Sequence, residues 1–308
     1  MKKTSLTLTS AIALSLLAGV AHAADCSTVK FSDVGWTDIT TTTSTTKQIL
    51  EALGYKVDVK VLSVPVTYAS LDSDDVDIFL GNWMPAQSGA IQPYLDSGEI
   101  ENVATNLTGT IYTLAVPAYT YDKGLTDYSK IHEFADSLDK TIYGIEPGNE
   151  GNGYLISLVD ANKFDLGGFK VVESSEQGML AEVDRAVKDN KDVVFLGWEP
   201  HPMNAKFPLK YLPGGEDFFG GEGVVNTVTR KGYVAECPNV GKLLTNLKFS
   251  LPMENEIMGK ILDDGVDPDE ATMTWMKANA ETVLGWLDGV TTLDGGDGAA
   301  AVKAALGV

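Results

Sequence analysis

The sequence predicts an α/β protein with a mostly parallel or mixed sheet, and three observations carry that expectation. Short apolar, β-branched runs alternate with segments of helical period through the first three quarters of the chain. After residues 224–229 the pattern turns helical almost to the end. Two cysteines, Cys26 and Cys237, stand far apart in a chain that begins like an exported protein, which implies one disulfide. Such a bridge brings the late chain back to the domain in which the early chain began.

The first segment does not belong to the fold. Lys2 and Lys3 precede an apolar stretch from Leu6 to Val20, followed by Ala21-His22-Ala23. A basic start, a short hydrophobic region and a small-x-small site make a secretory signal peptide, 1–23, with cleavage after Ala23. Leu17-Ala18-Gly19 would open a lipoprotein site, but Val20 stands where the lipid-bearing cysteine is needed, so the mature chain is expected to be free of an anchor. The mature chain should open with a strand over 29–33, closed by Val34-Gly35. A helix starting near Asp38 should follow, with Ile39, Ile49, Leu50 and Leu53 on one face and Gly54 as its C-terminal stop. Residues 57–62 alternate as a strand, 68–71 read as a short helix, and 76–80 as a strand that ends at Gly81-Asn82-Trp83. Further strands are expected at 112–116, 141–145, 170–172 and 193–196, with helices at 131–137, 154–161 and 179–189. The closing helices are expected at 241–249, 253–263, 269–280 and 281–287, before a Gly/Ala-rich end. Pro268 followed by Asp269 and Glu270 suits a first helical turn.

Composition narrows the function classes. Asp and Glu number 43 against 23 Lys and Arg among 308 residues, a formal charge of −20 that becomes −22 without Lys2 and Lys3. Nucleic-acid phosphates and anionic membranes call for clustered basic residues, so both are excluded as partners. A negative field serves solubility and favours the approach of cations. No G-x-S-x-G, H-E-x-x-H or C-x-x-C occurs. Only His132 and His201 outlast signal removal, so neither a histidine-rich metal site nor a cofactor is expected. Gly148, Gly151 and Gly153 have the wrong spacing for a phosphate-binding loop and read as a turn. Asp72, Asp74, Asp75 and Asp77 lack the glycine of a calcium loop and read as a solvated acidic turn.

The aromatic residues are more telling. Trp36, Trp83 and Trp198 each follow an expected strand and a nearby glycine: Gly35, Gly81 and Gly197. Ligands of α/β sheets bind at the carboxyl ends of strands, and three large rings in that setting exceed what core packing asks for. Trp275 and Trp286 lie on helical patterns and are assigned to the core.

Four motifs occur in order: Gly35-Trp36-Thr37-Asp38; Leu50-Glu51-Ala52-Leu53-Gly54-Tyr55-Lys56-Val57; Asp77-Ile78-Phe79-Leu80-Gly81-Asn82-Trp83-Met84-Pro85; and Gly197-Trp198-Glu199-Pro200-His201. This succession resembles the periplasmic substrate-binding proteins of ABC importers for glycine betaine and choline, over essentially the whole mature chain. The resemblance implies a type II clamshell of two lobes. The first would be discontinuous, 24–116 and 215–308; the second would be 117–214, with crossings near 116–118 and 213–215. It implies a monomeric periplasmic protein that delivers its ligand to a membrane permease and its ATPase. It also implies an aromatic box of Trp36, Trp83, Tyr112 and Trp198 around a quaternary ammonium, with Asp38 and Asn149 at the ligand's other end. Tyr119 and Tyr121 are alternatives to Tyr112 as the fourth wall.

The residue chemistry favours choline within that family. A trimethylammonium has no N–H to donate, so aromatic faces hold it better than a carboxylate alone. Glycine betaine ends in a carboxylate and would want Lys, Arg or backbone N–H groups, whereas choline ends in a hydroxyl that Asp38 can accept from and Asn149 can meet. Glycine betaine, carnitine and acetylcholine are the rivals of the same class, and a secreted α/β hydrolase is the rival of another.

Overall fold

The structure, a computed structural model, describes residues 26–308. The expected signal peptide and its cleavage point lie outside the described residues. Nine strands among the described residues form one mixed sheet: β1 (Thr28–Asp33), β2 (Lys56–Val61), β3 (Ile78–Met84), β4 (Ile100–Pro117), β5 (Thr141–Tyr143), β6 (Lys170–Val172), β7 (Phe195–Glu199), β8 (Leu209–Tyr211) and β9 (Gly223–Arg230). β1 lies between β2 and β3, parallel to both, and β9 runs antiparallel between β3 and β4. On the far side β4 pairs antiparallel with β7 and β8, while β5 runs parallel to β6 and β7. The mixed α/β architecture is the one the sequence predicted.

One strand ties the halves together. From Ile100 to Thr110, β4 pairs with β9; from Ile111 to Ala115 its partner is β7. The change falls within an unbroken strand, next to Tyr112. Only 112–116 had been expected there. The earlier stretch pairs with register shifts between Asn102 and Ala104, Thr105 and Leu107, and Thr108 and Thr110. Each shift breaks the two-residue alternation from which a strand is recognised.

The threonine-rich segment forms the helix Thr37–Ala52, and most of it is buried, including Thr41, Thr45 and Thr46. It packs against the helices Leu251–Leu262 and Pro268–Ala278 from the returning chain. Several of its hydroxyls find partners inside: Thr45 and Thr46 donate to the carbonyls of Thr41 and Thr42, and Ser44 bonds Asp269 and Thr272, while the Thr41 and Thr43 hydroxyls have none. Serine and threonine tolerate helix burial through such back-bonding. Trp275 and Trp286 are core, as expected. Beyond several helices of four or five residues, two longer helices had no sequence signal. In Ser88–Ser97 only Ile91 is buried and Pro93 lies inside, and Gly298–Leu306 is the Gly/Ala-rich end itself.

Cys26 and Cys237 form the expected disulfide, with 5.6 Å between their Cα atoms. It staples β1 to the segment after β9 across 211 residues of sequence. Replacing both cysteines by serine should cost about 2–4 kcal/mol in denaturant titration while leaving the far-ultraviolet circular dichroism unchanged. Equal stability with and without the bridge would contradict its structural role.

Candidate functional site

Trp36, Asp38, Trp83, Tyr112, Asn149 and Trp198 line one cavity. Ala86, Gln87, Ile145 and Glu150 complete its walls. The residues arrive from opposite ends of the sheet. β1 ends in a turn at Gly35, whose positive φ of 81° suits glycine, and this swings Trp36 and Asp38 into the start of the buried helix. β3 brings Trp83. From the other side, the chain after β5 brings Ile145, Asn149 and Glu150, and β7 brings Trp198. Tyr112 on β4 sits directly opposite Trp198 in the antiparallel ladder, so the two share a face.

The rings meet edge to face. Tyr112 lies 6.3 Å from Trp83 at 65° and 6.4 Å from Trp198 at 82°, and Phe219 backs it at 4.9 Å. Polar tethers hold two of these rings, while the Trp36 Nε1 has no hydrogen-bond partner. Trp83 Nε1 donates to Asp38 Oδ2 at 2.9 Å, and Tyr112 donates its hydroxyl to Asn149 Oδ1 at 2.9 Å. Asn149 also caps the helix Glu150–Asp160, accepting from Gly151 and Asn152, so its carbonyl oxygen is fully engaged. Tyr119 and Tyr121 take no part in the cavity; Tyr119 donates to the carbonyl of Lys191.

The electrostatics are one-sided. Asp38 is 1% exposed, and its Oδ1 has no hydrogen-bond partner. It stands in the first turn of its helix, where the dipole favours negative charge, yet burial outweighs that. Desolvation, reinforced by the nearby Glu176 carboxylate, pushes its pKa up to about 8. Burial, with Glu146 adding to it, takes Glu150 to about 7. Glu254 is held well above the usual carboxylate range by burial and by Asp38. No Lys or Arg is among the residues that line the cavity.

A model of the substrate-binding domain of ABC-type glycine betaine transport systems matches residues 27–278. The chain belongs to that family. A choline-binding protein of an ABC transporter, solved with choline, is 60% identical, with a TM-score of 0.89 over 91% of this chain and 98% of that one. Lactococcal OpuAC, solved closed on glycine betaine, is 28% identical with a TM-score of 0.75 over 84% of this chain and 98% of that one. The glycine betaine/carnitine transport binding protein GbuC of Listeria monocytogenes is 32% identical over 188 residues, 60% of each chain. As a member of a family of substrate-binding domains, the protein is a binding protein rather than a hydrolase.

Two sequence expectations are corrected by the geometry of this family member. Trp83 and Trp198 do not follow their strands but lie within the last residues of β3 and β7, because pairing continues through Trp83 with Val225 and Trp198 with Tyr112. The glycines beside them make room for the core: a Cβ at Gly81 would sit 2.7 Å from the Phe79 ring, and one at Gly197 would sit 2.8 Å from Ala115. The glycine-rich turn at 148–153, read as ordinary, contains a glycine that serves the cavity. A Cβ at Gly151 would strike the Tyr112 hydroxyl at 2.2 Å, so glycine is what lets Tyr112 reach Asn149. Gln87 and Glu150 had no signal; Gln87 is placed by Tyr68, which donates to it, and by its own bond to the Gly81 carbonyl.

The raised pKa values give a signed stability prediction. Asp38 holds its proton more tightly folded than unfolded, so its favourable contribution is full below about pH 4 and is lost as pH rises toward 8. Glu150 and Glu254 act in the same direction. Asp38→Asn should therefore shrink the loss of ligand-free stability between pH 5 and pH 8 by roughly 2–4 kcal/mol in denaturant titrations. A variant whose stability falls as steeply as the wild type's would show that Asp38 is not the buried acid responsible.

Proposed function

We propose that the protein captures choline in the periplasm and delivers it, as a monomer, to an ABC permease and its ATPase. The observation that supports this most strongly is an aromatic cavity with a buried carboxylate, one of whose oxygens has no partner, and no basic residue, in a chain 60% identical to a choline-binding protein solved with choline. In this reading Trp36, Trp83, Tyr112 and Trp198 surround the trimethylammonium. Each desolvated cation–π contact is worth about 2 kcal/mol, before association costs are deducted. Choline has about seven non-hydrogen atoms, so the efficiency ceiling near 1.5 kcal/mol per atom admits micromolar or tighter binding. Asp38 Oδ1 accepts from the ligand hydroxyl. Asn149, its carbonyl oxygen already taken by Tyr112 and the helix cap, has only its amide N–H groups left to offer.

Glycine betaine fits this cavity poorly. Its carboxylate would face Asp38 and Glu150 in a low-dielectric pocket with no cation to receive it. The ligand's own positive charge also relieves the cost of ionising Asp38.

The lobe assignment that accompanies this function is 24–116 with 215–308 for the first lobe and 117–214 for the second. Trp36, Asp38 and Trp83 then belong to one lobe and Asn149 and Trp198 to the other, so a ligand touching both favours the closed form. The partner change along β4 supports this reading, since one continuous strand pairs first with β9 and then with β7.

Calorimetric titration with choline, glycine betaine, carnitine and acetylcholine tests the assignment. Choline should bind the most tightly, and Trp198→Ala should weaken it at least ~30-fold, about 2 kcal/mol. Tighter binding of glycine betaine would overturn the role given to Asp38, and unchanged choline affinity in Trp198→Ala would remove that ring from the box.

A further inference from the structure

A second buried polar network spans the same two groups of elements, outside the ligand cavity. Glu176 opens the helix Glu176–Lys188, which Ser175 caps with its own hydroxyl. The Glu176 side chain turns away from its helix. Its Oε2 accepts the Thr37 backbone N–H at 2.9 Å, and its Oε1 accepts the Thr37 hydroxyl at 2.7 Å. His201 Nε2 lies 3.1 Å from the same Oε1. The Met203 N–H donates to His201 Nδ1 at 2.9 Å, which leaves the imidazole proton on Nε2, directed at Glu176. Glu176 and His201 are 2% and 1% exposed.

The Thr37 side of this network completes a helix that is otherwise uncapped. The helix Thr37–Ala52 has Trp36 at its N-cap, and no side chain there bonds the first-turn N–H groups. A tryptophan cannot cap, because its only polar group is a donor. The missing acceptor comes from Glu176, 139 residues away and across the cleft. On the other side, the His201 ring packs against Trp198 at 4.9 Å and 72°. A continuous path therefore runs from Trp198 through His201 and Glu176 to Thr37, which lies between Trp36 and Asp38.

We propose that Glu176 is a closure latch, a positioning residue that caps the Asp38-bearing helix only when the lobes meet and so ties the two halves of the aromatic box together. This rests on the choline-capture reading for its ligand but not for its geometry. A carboxylate bonded by three donors in a water-excluded cleft makes charge-assisted bonds that the open form exchanges for water. Closure is thereby coupled to the orientation of Trp36, Asp38 and Trp198 at once. The latch carries a cost, since its charge adds to the burden on Asp38. A cationic ligand offsets that cost, and an empty or anionic one does not, so the latch favours closure around cations.

Stopped-flow choline kinetics on Glu176→Gln, Thr37→Val, Thr37→Ser and the Glu176→Gln/Thr37→Val double variant test the proposal. Glu176→Gln should raise the dissociation rate about tenfold or more, and Thr37→Val by a smaller factor. The double variant should dissociate no faster than Glu176→Gln alone, and Thr37→Ser should stay within about twofold of wild type. Dissociation within about twofold of wild type in both Glu176→Gln and Thr37→Val, or independent effects in the double variant, would overturn the latch. If Glu176→Gln does not fold, the Thr37→Val and Thr37→Ser pair decides by the same rates. A wild type that takes up no choline defeats the choline reading and leaves the latch to small-angle scattering of ligand-free protein. There Glu176→Gln should be more expanded than wild type, and identical profiles would overturn it.

Discussion

A carboxylate buried beside aromatic rings, with one oxygen bonded to an indole and the other to nothing, is the constraint around which this protein is arranged. Desolvation makes an ionised Asp38 expensive, and Glu176 nearby makes it more so. Evolution usually answers a buried acid with a basic side chain. Here the walls are apolar and aromatic faces, which cannot neutralise a carboxylate but can hold a cation that does. The site is thus electrostatically suited to a positive ligand that aromatic faces can hold.

The fold exists to bring that site together from distant segments. Trp36 and Asp38 depend on a turn after β1, Trp83 and Trp198 on the last residues of two strands, and Asn149 on a helix cap. β4 alone reaches both halves of the sheet, and Tyr112 stands just past the point where its partner changes. Ring orientation is set by hydrogen bonds at the rim rather than by packing alone: indole to Asp38, phenol to Asn149. Each tether joins a ring to a polar side chain that also lines the cavity. The polar residues of the site therefore help to position its rings.

Much of this was legible in the sequence, for identifiable reasons. The α/β class followed from alternating apolar runs, because buried strands and amphipathic helices have distinct periods. The disulfide followed from two cysteines in an exported chain. The six candidate ligand residues were named from tryptophan motifs and family resemblance, and all six line one cavity. What stayed hidden was whatever depends on geometry between distant segments. The first half of β4 was masked by its register shifts, and Gly151 looked like any turn glycine until Tyr112 was placed against it. Glu176 reads as an ordinary helix start in sequence, and His201 merely closes the last tryptophan motif. Only the fold shows that the first caps the helix Thr37–Ala52 and that the second packs against Trp198.

The central claim is that a cationic ligand completes a site whose acid is otherwise protonated, and proton release on binding reads it directly. Calorimetric titration of choline near pH 7, in buffers of different ionisation enthalpy, counts the protons exchanged. Asp38, with its pKa near 8 in the empty cavity, should give up about one proton as the ammonium arrives, with Glu150 adding a fraction. Binding that releases no proton, or takes one up, would contradict the account.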